Sequence, residues 1–360
     1  VDPLVIDLLR RTFHGRRVLV TGDTGFKGSW LCAWLLELGA DVYGYALPAE
    51  QPSDLYNQLG LARRIKHVDA DIRDHAKVMQ FFREVQPEFV LHLAAQSLVR
   101  PSYADPKGTF DTNVAGSVNI LEAVRATPSV RSLVYVTSDK CYRNKEWVWG
   151  YRETDELGGR DPYSASKAAA EIVFSAYCDS FFAHRDGFGA ASVRAGNVIG
   201  GGDWATDRIV PDCLRALQRG DGVQIRNPGS TRPWQHVLDP LSGYLLIAAR
   251  LAEDPKRYGG AWNFGPVADD VRTVGDLANE IVRVWGSGVV GKRAEVNPPH
   301  EAGMLWLSCD KARQGLHWKA QWHFERAVRE TVEWYKQVGL GADAAEVTRR
   351  QLLAYMENAS

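Results

Sequence analysis

The stretch Val18-Leu19-Val20-Thr21-Gly22-Asp23-Thr24-Gly25-Phe26-Lys27-Gly28 decides the fold. An apolar run of strand length passes directly into a Gly-x-x-Gly-x-x-Gly turn, and helical spacing follows from about Phe26 to Leu38. Backbone amides at a helix N-terminus favour an anion, and glycines let a pyrophosphate come close to the chain. Gly22, Asp23, Thr24, Gly25, Phe26, Lys27 and Gly28 are therefore candidate phosphate-cradle residues. The strand-like run Asp41 to Ala46 then completes a βαβ unit.

Outward from that unit the alternation continues. Strands are expected near Ile65 to Val68, Phe89 to Ala94 and Leu133 to Ser138, and helices near His75 to Val85 and Thr109 to Arg125. The strands lack strict polar alternation, so both faces of a parallel sheet should be covered. Right-handed crossovers then imply an α/β, Rossmann-type doubly wound sheet. From about Asn197 the pattern loosens. Gly200 to Arg208 and Arg226 to Trp234 read as loops, and helical spacing returns only at Val274 to Trp285 and Phe324 to Val338. The expected organisation is a dinucleotide-binding domain over residues 1–196 that carries the catalytic residues. A smaller C-terminal α/β substrate lobe over 197–360 follows, with some segments returning to the first domain.

Hydrophobic residues make up 45% of the 360 and charged residues 24%, the balance of a globular protein rather than a disordered one. Lys and Arg number 43 against 44 Asp and Glu, so no basic excess exists to neutralise a nucleic acid backbone. The five cysteines are scattered and never form a Cys-x-x-Cys pair, which argues against a disulfide framework or a metal site. Residues Val1 to Gly15 are broken by Asp2, Asp7, Arg10 and Arg11, and no run approaches the roughly 20 apolar residues that span a bilayer. A cytoplasmic protein without membrane partners is expected.

Tyr163 and Lys167 are four apart at the start of a helical stretch and so share one face. A tyrosine ionises near pH 10 unless a cation stabilises its phenolate, and Lys167 can supply that cation. One strand earlier, Thr137-Ser138-Asp139-Lys140 places a hydroxyl, an acid and a possible base at the carboxyl end of a parallel strand, where ligands bind in such sheets. The acid expected at the end of the second strand, which would bind ribose hydroxyls, is replaced by Ala46 and Leu47. With Lys27 in the cradle, spacing alone leans towards NADP. Asp71 and Ile72 would lie where an adenine sits. Asn197, Arg208, Arg226, Arg232 and His300, in loops after the sheet, are candidate contacts for a diphosphate and a sugar.

The glycine turn, Leu93-Ala94-Ala95-Gln96, Asn113, Tyr163 to Lys167 and Arg232 to Val237 resemble the extended short-chain dehydrogenase/reductase family over nearly the whole chain. Longer runs, at Thr137 to Tyr142, Lys145 to Glu153, Val193 to Ala205, Arg232 to Leu238 and Trp262 to Pro266, are similar to its CDP-glucose 4,6-dehydratase branch. The resemblance implies NAD rather than NADP, tightly held and regenerated, with Leu93, Ala94, Ala95, Gln96, Asn113, Thr137, Tyr163 and Lys167 among its contacts. It implies CDP-glucose as substrate, with Gln96 also on the substrate side. By this resemblance Tyr163 takes the proton of the carbon 4 hydroxyl, Ser138 bonds that hydroxyl, and Lys167 holds Tyr163 ionised. Asp139 is then the acid for the departing carbon 6 hydroxyl. Relatives acting on dTDP-glucose carry Asp-Glu where this chain has Asp139-Lys140, so Lys140 is either a neutral base or an enolate stabiliser. The glycine turn also departs from the near relatives, with Asp23 in place of a histidine. A homo-oligomer, dimer or tetramer, and a place in deoxysugar synthesis for bacterial O-antigen are further implications. The Lys145 to Tyr151 loop would cover the sugar or meet a neighbouring subunit. A 4-epimerase needs no acid and base pair, so Asp139-Lys140 disfavours that rival, and a silent nucleotide sensor would not need Tyr163, Lys167 and Asp139 together.

Overall fold

The computed structural model describes residues 2–267, 270–292 and 303–357. Seven parallel strands form its central sheet: β1 (Arg17–Thr21), β2 (Asp41–Ala46), β3 (Lys66–Asp69), β4 (Phe89–His92), β5 (Ser132–Val136), β6 (Gly189–Ala195) and β7 (Gly260–Phe264). They lie in the order β7-β6-β5-β4-β1-β2-β3. The order reverses between β1 and β4, and a crevice opens beyond the carboxyl ends of strands at such a switch point.

Helices cover both faces, which is why β4 and β5 are buried at every position and show no alternation. On one face lie α1 (Pro3–Phe13), α2 (Phe26–Glu37), α6 (Ile209–Gln218) and α7 (Leu238–Glu253). Phe13, Trp30, Trp34, Leu241 and Leu245 pack there against Val18, Val20, Val134 and Val193. α8 (Val274–Trp285), α9 (Phe324–Gly339) and α10 (Ala344–Glu357) extend the same core. On the other face α3 (His75–Val85), α4 (Ser117–Ala126) and α5 (Pro162–Tyr177) bring Phe82, Leu121 and Phe174 against Leu19, Val90 and Tyr135.

Three features depart from the sequence pattern. The helix expected from Thr109 to Arg125 is interrupted, with a short helix at Pro106–Phe110 and a π-helical turn at Asp111–Gly116 preceding α4. The wider turn lets Asn113 reach inward, and Gly116 lies so close to Ile72 that a Cβ there would meet its side chain at 2.8 Å. The Gly200 to Arg208 and Arg226 to Trp234 loops are separated by α6, and α7 follows them. α7 is buried on nearly every side and therefore carries no amphipathic signature. β7, from the second half of the chain, pairs with β6 and completes the sheet.

Among the described residues no helix is long and apolar enough to cross a membrane, and no cluster of His, Cys, Asp and Glu could hold a metal ion.

The glycine turn after β1 is dictated sterically. Gly22 has φ +75°, and a Cβ on it would come 2.8 Å from the Ala94 amide nitrogen. A Cβ on Gly28 would come 2.1 Å from the Gly22 carbonyl oxygen. Gly28→Ala is accordingly expected to lower stability by about 1–3 kcal/mol, as overpacking does. Urea unfolding of the variant beside the parent checks this.

Candidate active site

Beyond the carboxyl ends of β1, β4 and β5 lies a cleft of about 2200 Å³. It is lined by the glycine turn, Asp71, Ile72, Leu93 to Gln96, Thr137 to Lys140, Tyr163 and Lys167, and on its far side by Asn197, Arg208, Arg226 and Arg232. Residues more than a hundred positions apart thus share one wall system. Asp23 and Asn113 are not among the lining residues, and His300 lies outside the described residues.

Local chemistry places each group. Asp161 caps α5 by accepting from the Ser164 amide at 2.9 Å, and Pro162 opens the helix, a position where its missing amide is harmless. Tyr163 and Lys167 follow one turn apart, both buried. Where β5 ends, Ser138 turns the chain into a short 3₁₀ segment, Asp139–Cys141. The Ser138 hydroxyl donates to Asp139 Oδ1 at 2.9 Å, and Lys140 Nζ lies 3.4 Å from the same oxygen. Asp139 is 1% exposed, and its Oδ2 is buried without a hydrogen-bond partner among the described residues. A buried carboxylate oxygen in that condition is costly unless a ligand meets it.

Burial dominates the titration of this corner. It pushes the Tyr163 phenol up to about 12, and the Asp139 charge adds to the rise, against the Ser138 hydrogen bond and the Arg208 charge, which favour the phenolate. Burial also pulls the Lys167 ammonium down to about 8, while Glu171 opposes the fall.

Lys27 settles differently from the reading that spacing suggested. It is half-buried, with its Nζ 5.9 Å from the centre of the Tyr244 ring. Burial, Arg208, Lys167 and Lys140 lower it to about 8 against the pull of Asp139. Its ammonium thus belongs to the Asp139 and Lys167 corner, and the case for a ribose phosphate contact, and with it NADP, loses its support.

Asp23 is fully buried and holds His67 Nδ1 at 2.7 Å under β2, where Gly44 leaves room for the carboxylate. Asn113 donates to the Gln96 carbonyl at 2.9 Å and to Ser166 Oγ at 2.8 Å, so it braces the Leu93 to Gln96 loop against α5. The Gln96 side chain bonds Leu98 in its own loop and Thr109 in the short Pro106–Phe110 helix. Asp71 takes Arg73 as its partner at 2.6 Å, which holds the carboxyl below its usual range. On the far wall Arg208 donates to Asp203 at 2.9 Å and to Ser97 at 3.3 Å, and Arg232 donates to the Thr231 carbonyl at 2.7 Å. Arg226 lies 3.8 Å from Asp207, and Asn197 Oδ1 is buried without a hydrogen-bond partner among the described residues. In the aromatic loop Lys145 and Glu146 line the cleft, Trp147 stacks on Tyr151, and Val148 and Trp149 face solvent.

Two residues that pattern reading passed over stand behind this wall. Glu171 and Arg194 form an ion pair that is almost wholly buried. The available signal was Glu171 itself, an acid one turn beyond Lys167 on the buried side of the helix, between Ala170 and Phe174.

The cost of burying Lys27 as a cation is testable. The unfolded chain keeps its proton up to about pH 10.5 and the folded one only to about 8, so the penalty is full below pH 8 and shrinks as pH rises between the two. Lys27→Met should be more stable than the parent by on the order of 1–3 kcal/mol at pH 7, with a smaller gap at pH 9. Paired denaturant titrations at the two pH values check both sign and trend.

A family model described as GDP-mannose 4,6 dehydratase matches residues 19–331. The chain is 47% identical to a CDP-glucose 4,6-dehydratase of Salmonella typhimurium over 96% of its own length and 97% of that protein's. It is 27% identical to a dTDP-glucose 4,6-dehydratase of Escherichia coli, over 89% of this chain and 92% of that one. Among solved structures, a dTDP-glucose 4,6-dehydratase of Streptomyces venezuelae with NAD bound matches at a TM-score of 0.77 and 26% identity, covering 89% and 97% of the two chains. A UDP-glucose 4-epimerase of Thermus thermophilus in complex with NAD matches at 0.76 and 26%, covering 89% and 99%. With the cleft, the glycine turn and the Tyr163 and Lys167 pair in the arrangement described, the chain belongs to the GDP-mannose 4,6 dehydratase family of extended short-chain dehydrogenases/reductases.

Proposed function

We propose that the protein is a CDP-D-glucose 4,6-dehydratase, converting CDP-D-glucose to CDP-4-dehydro-6-deoxy-D-glucose and water. The observation that carries this reading is the Ser138-Asp139-Lys140 turn set beside Tyr163, with a buried carboxylate oxygen that lacks a partner among the described residues. An oxidation at carbon 4 alone would not call for that extra acid. The 47% identity to a protein named for CDP-glucose supports the choice of nucleotide.

The cleft fits NAD. Gly22, Gly25 and Gly28 leave the backbone open for a pyrophosphate at the N-terminus of α2, where side chains would collide with the chain. The turn would hold the pyrophosphate, Asp71 and Ile72 the adenosine end, and Thr137, Tyr163 and Lys167 the nicotinamide end. When bound, NAD accepts a hydride from carbon 4 and returns it to carbon 6.

Tyr163 takes the proton of the carbon 4 hydroxyl. Ser138 and Arg208 favour the phenolate that can do so, and Lys167 stands one turn away on the same helix face. The resulting ketone acidifies carbon 5. A proton passed from Lys140 to Asp139, 3.4 Å away, leaves a neutral amine that takes the carbon 5 proton and gives one back there as the hydride returns to carbon 6. Asp139 delivers a proton to the carbon 6 hydroxyl, which leaves as water. Asn197, Arg208, Arg226 and Arg232 on the opposite wall take the diphosphate and sugar.

The division of labour we infer is a dinucleotide-binding and catalytic domain over 1–196 and a sugar-nucleotide lobe formed mainly by 197–360. The exposed apolar residues Tyr103, Phe110, Ile172 and Phe181 lie on and around α5, which supports pairing of copies through that face. A cytoplasmic enzyme supplying a deoxysugar for surface polysaccharide is the setting that fits this chemistry.

Purified protein incubated separately with CDP-glucose, dTDP-glucose and GDP-mannose should remove one water from CDP-glucose alone, read by mass. Loss from none of the three, with NAD supplied, contradicts the reading. Tyr163→Phe should retain the fold and lose turnover by about 10²-fold or more, on the scale of an acid–base group. Unchanged turnover would remove Tyr163 from the role assigned to it.

A further inference from the structure

Behind the catalytic wall a charged cluster is sealed from water. Arg194 on β6 grips Glu171 on α5 with one edge of its guanidinium, Nε to Oε1 at 2.9 Å and Nη2 to Oε2 at 2.7 Å. Ser192 Oγ donates to Oε2 at 2.8 Å, and Thr137 Oγ1 donates to Oε1. Arg194 also donates to the Tyr142 hydroxyl at 2.7 Å and to the Glu153 carbonyl at 3.1 Å. The side chains of Arg194 and Glu171 are only 4% and 3% exposed.

Two of these partners lead to the reacting groups. Glu171 sits one helical turn past Lys167, as Lys167 sits one turn past Tyr163. Thr137 immediately precedes Ser138, Asp139 and Lys140. A buried ion pair is weak evidence of stabilisation, because desolvation consumes most of its attraction. Its placement therefore asks for another reason.

We propose that Glu171, clamped by Arg194, is a positioning residue that keeps Lys167 cationic and anchors the Thr137 to Lys140 turn to the helix bearing Tyr163. Lys167 is deep enough that desolvation works against its charge, and Glu171 is the anion that opposes this. Besides Tyr163 one turn away and Arg194 behind Glu171, the ionisable groups near Lys167 are Lys27 from α2, His92 from β4 and Cys141 from the turn after β5. His92 is buried and held neutral, with its titration pushed down to about 3, and burial raises the Cys141 thiol. Neither supplies negative charge at neutral pH, and Lys27 adds positive charge. The carboxylate of Glu171 is thus the counter-charge on which Lys167 depends. The fork of Arg194 fixes its direction, and Oε1, which accepts from the guanidinium Nε, accepts from Thr137 as well.

The idea rests on the dehydratase reading for its consequence in turnover, and its central claim can be measured without turnover. In protein labelled at lysine Cε and loaded with NAD, the Lys167 resonance is assigned by its absence in Lys167→Met and followed from pH 6 to 10. Glu171→Gln should move its midpoint to lower pH by about one unit, and Arg194→Gln, which removes a competing cation, should move it to higher pH. A purely structural pair gives no such opposition of sign. If one variant does not fold, the direction of the other decides. With CDP-glucose, Glu171→Gln should lower kcat about tenfold and shift the alkaline limb of its pH profile downward, with KM changed less than about threefold, and Glu171→Asp should restore part of kcat. Midpoints that coincide with the parent in both variants overturn the proposal. Absence of turnover in the parent overturns the dehydratase reading and leaves the titration result standing.

Discussion

Desolvation at the carboxyl end of β5 is the constraint to which the surrounding structure responds. Tyr163, Lys167 and Asp139 are all withdrawn from water there, and Lys27 approaches from α2. Burial favours the neutral phenol of Tyr163 and the neutral amine of Lys167, yet the proposed chemistry needs a phenolate and an ammonium within reach of one sugar. The chain meets the conflict by placing charges opposite one another. Asp139 faces Lys140, Glu171 stands under Lys167, and Arg208 reaches in from the far wall.

A parallel sheet suits this task because all its strands end on the same side. β1 delivers the glycine turn, β4 the Leu93 to Gln96 loop, and β5 the Ser138 to Lys140 turn, all into one crevice. Helix α5 then adds Tyr163 and Lys167 from its first two turns, set by the Asp161 cap. Sheet, cap and helix together fix side chains that no single segment could bring together. The second half of the chain contributes differently. It supplies β7 to the sheet and α7 to the core, while its loops carry Asn197, Arg208, Arg226 and Arg232 to the opposite wall.

What the sequence disclosed follows from how local each signal is. The Gly22 to Gly28 turn, the spacing of Tyr163 and Lys167 and the polar run after Val136 depend on neighbours within a few residues, and their placement in one cleft follows from strand order. α7 was invisible because a helix apolar on all sides has no period to detect. The π-helical turn around Asn113 escaped because it depends on contact with Ile72 and Gln96, both distant in sequence. The direction of Lys27 could not be read from its position in the turn, since only the packing of α2 against Tyr244 aims it. Glu171 and Arg194 are 23 residues apart and meet only because β6 runs beside β5. Spacing therefore named the groups that line the cleft, and missed those that set their charge from behind it.

The central claim is that one cleft oxidises, dehydrates and reduces a single sugar without releasing it. CDP-glucose carrying deuterium at carbon 4 tests this most directly. The account predicts a product lighter by one water that retains the deuterium, now at carbon 6. A dehydrated product whose carbon 6 carries no deuterium, the label having gone to solvent, would contradict it.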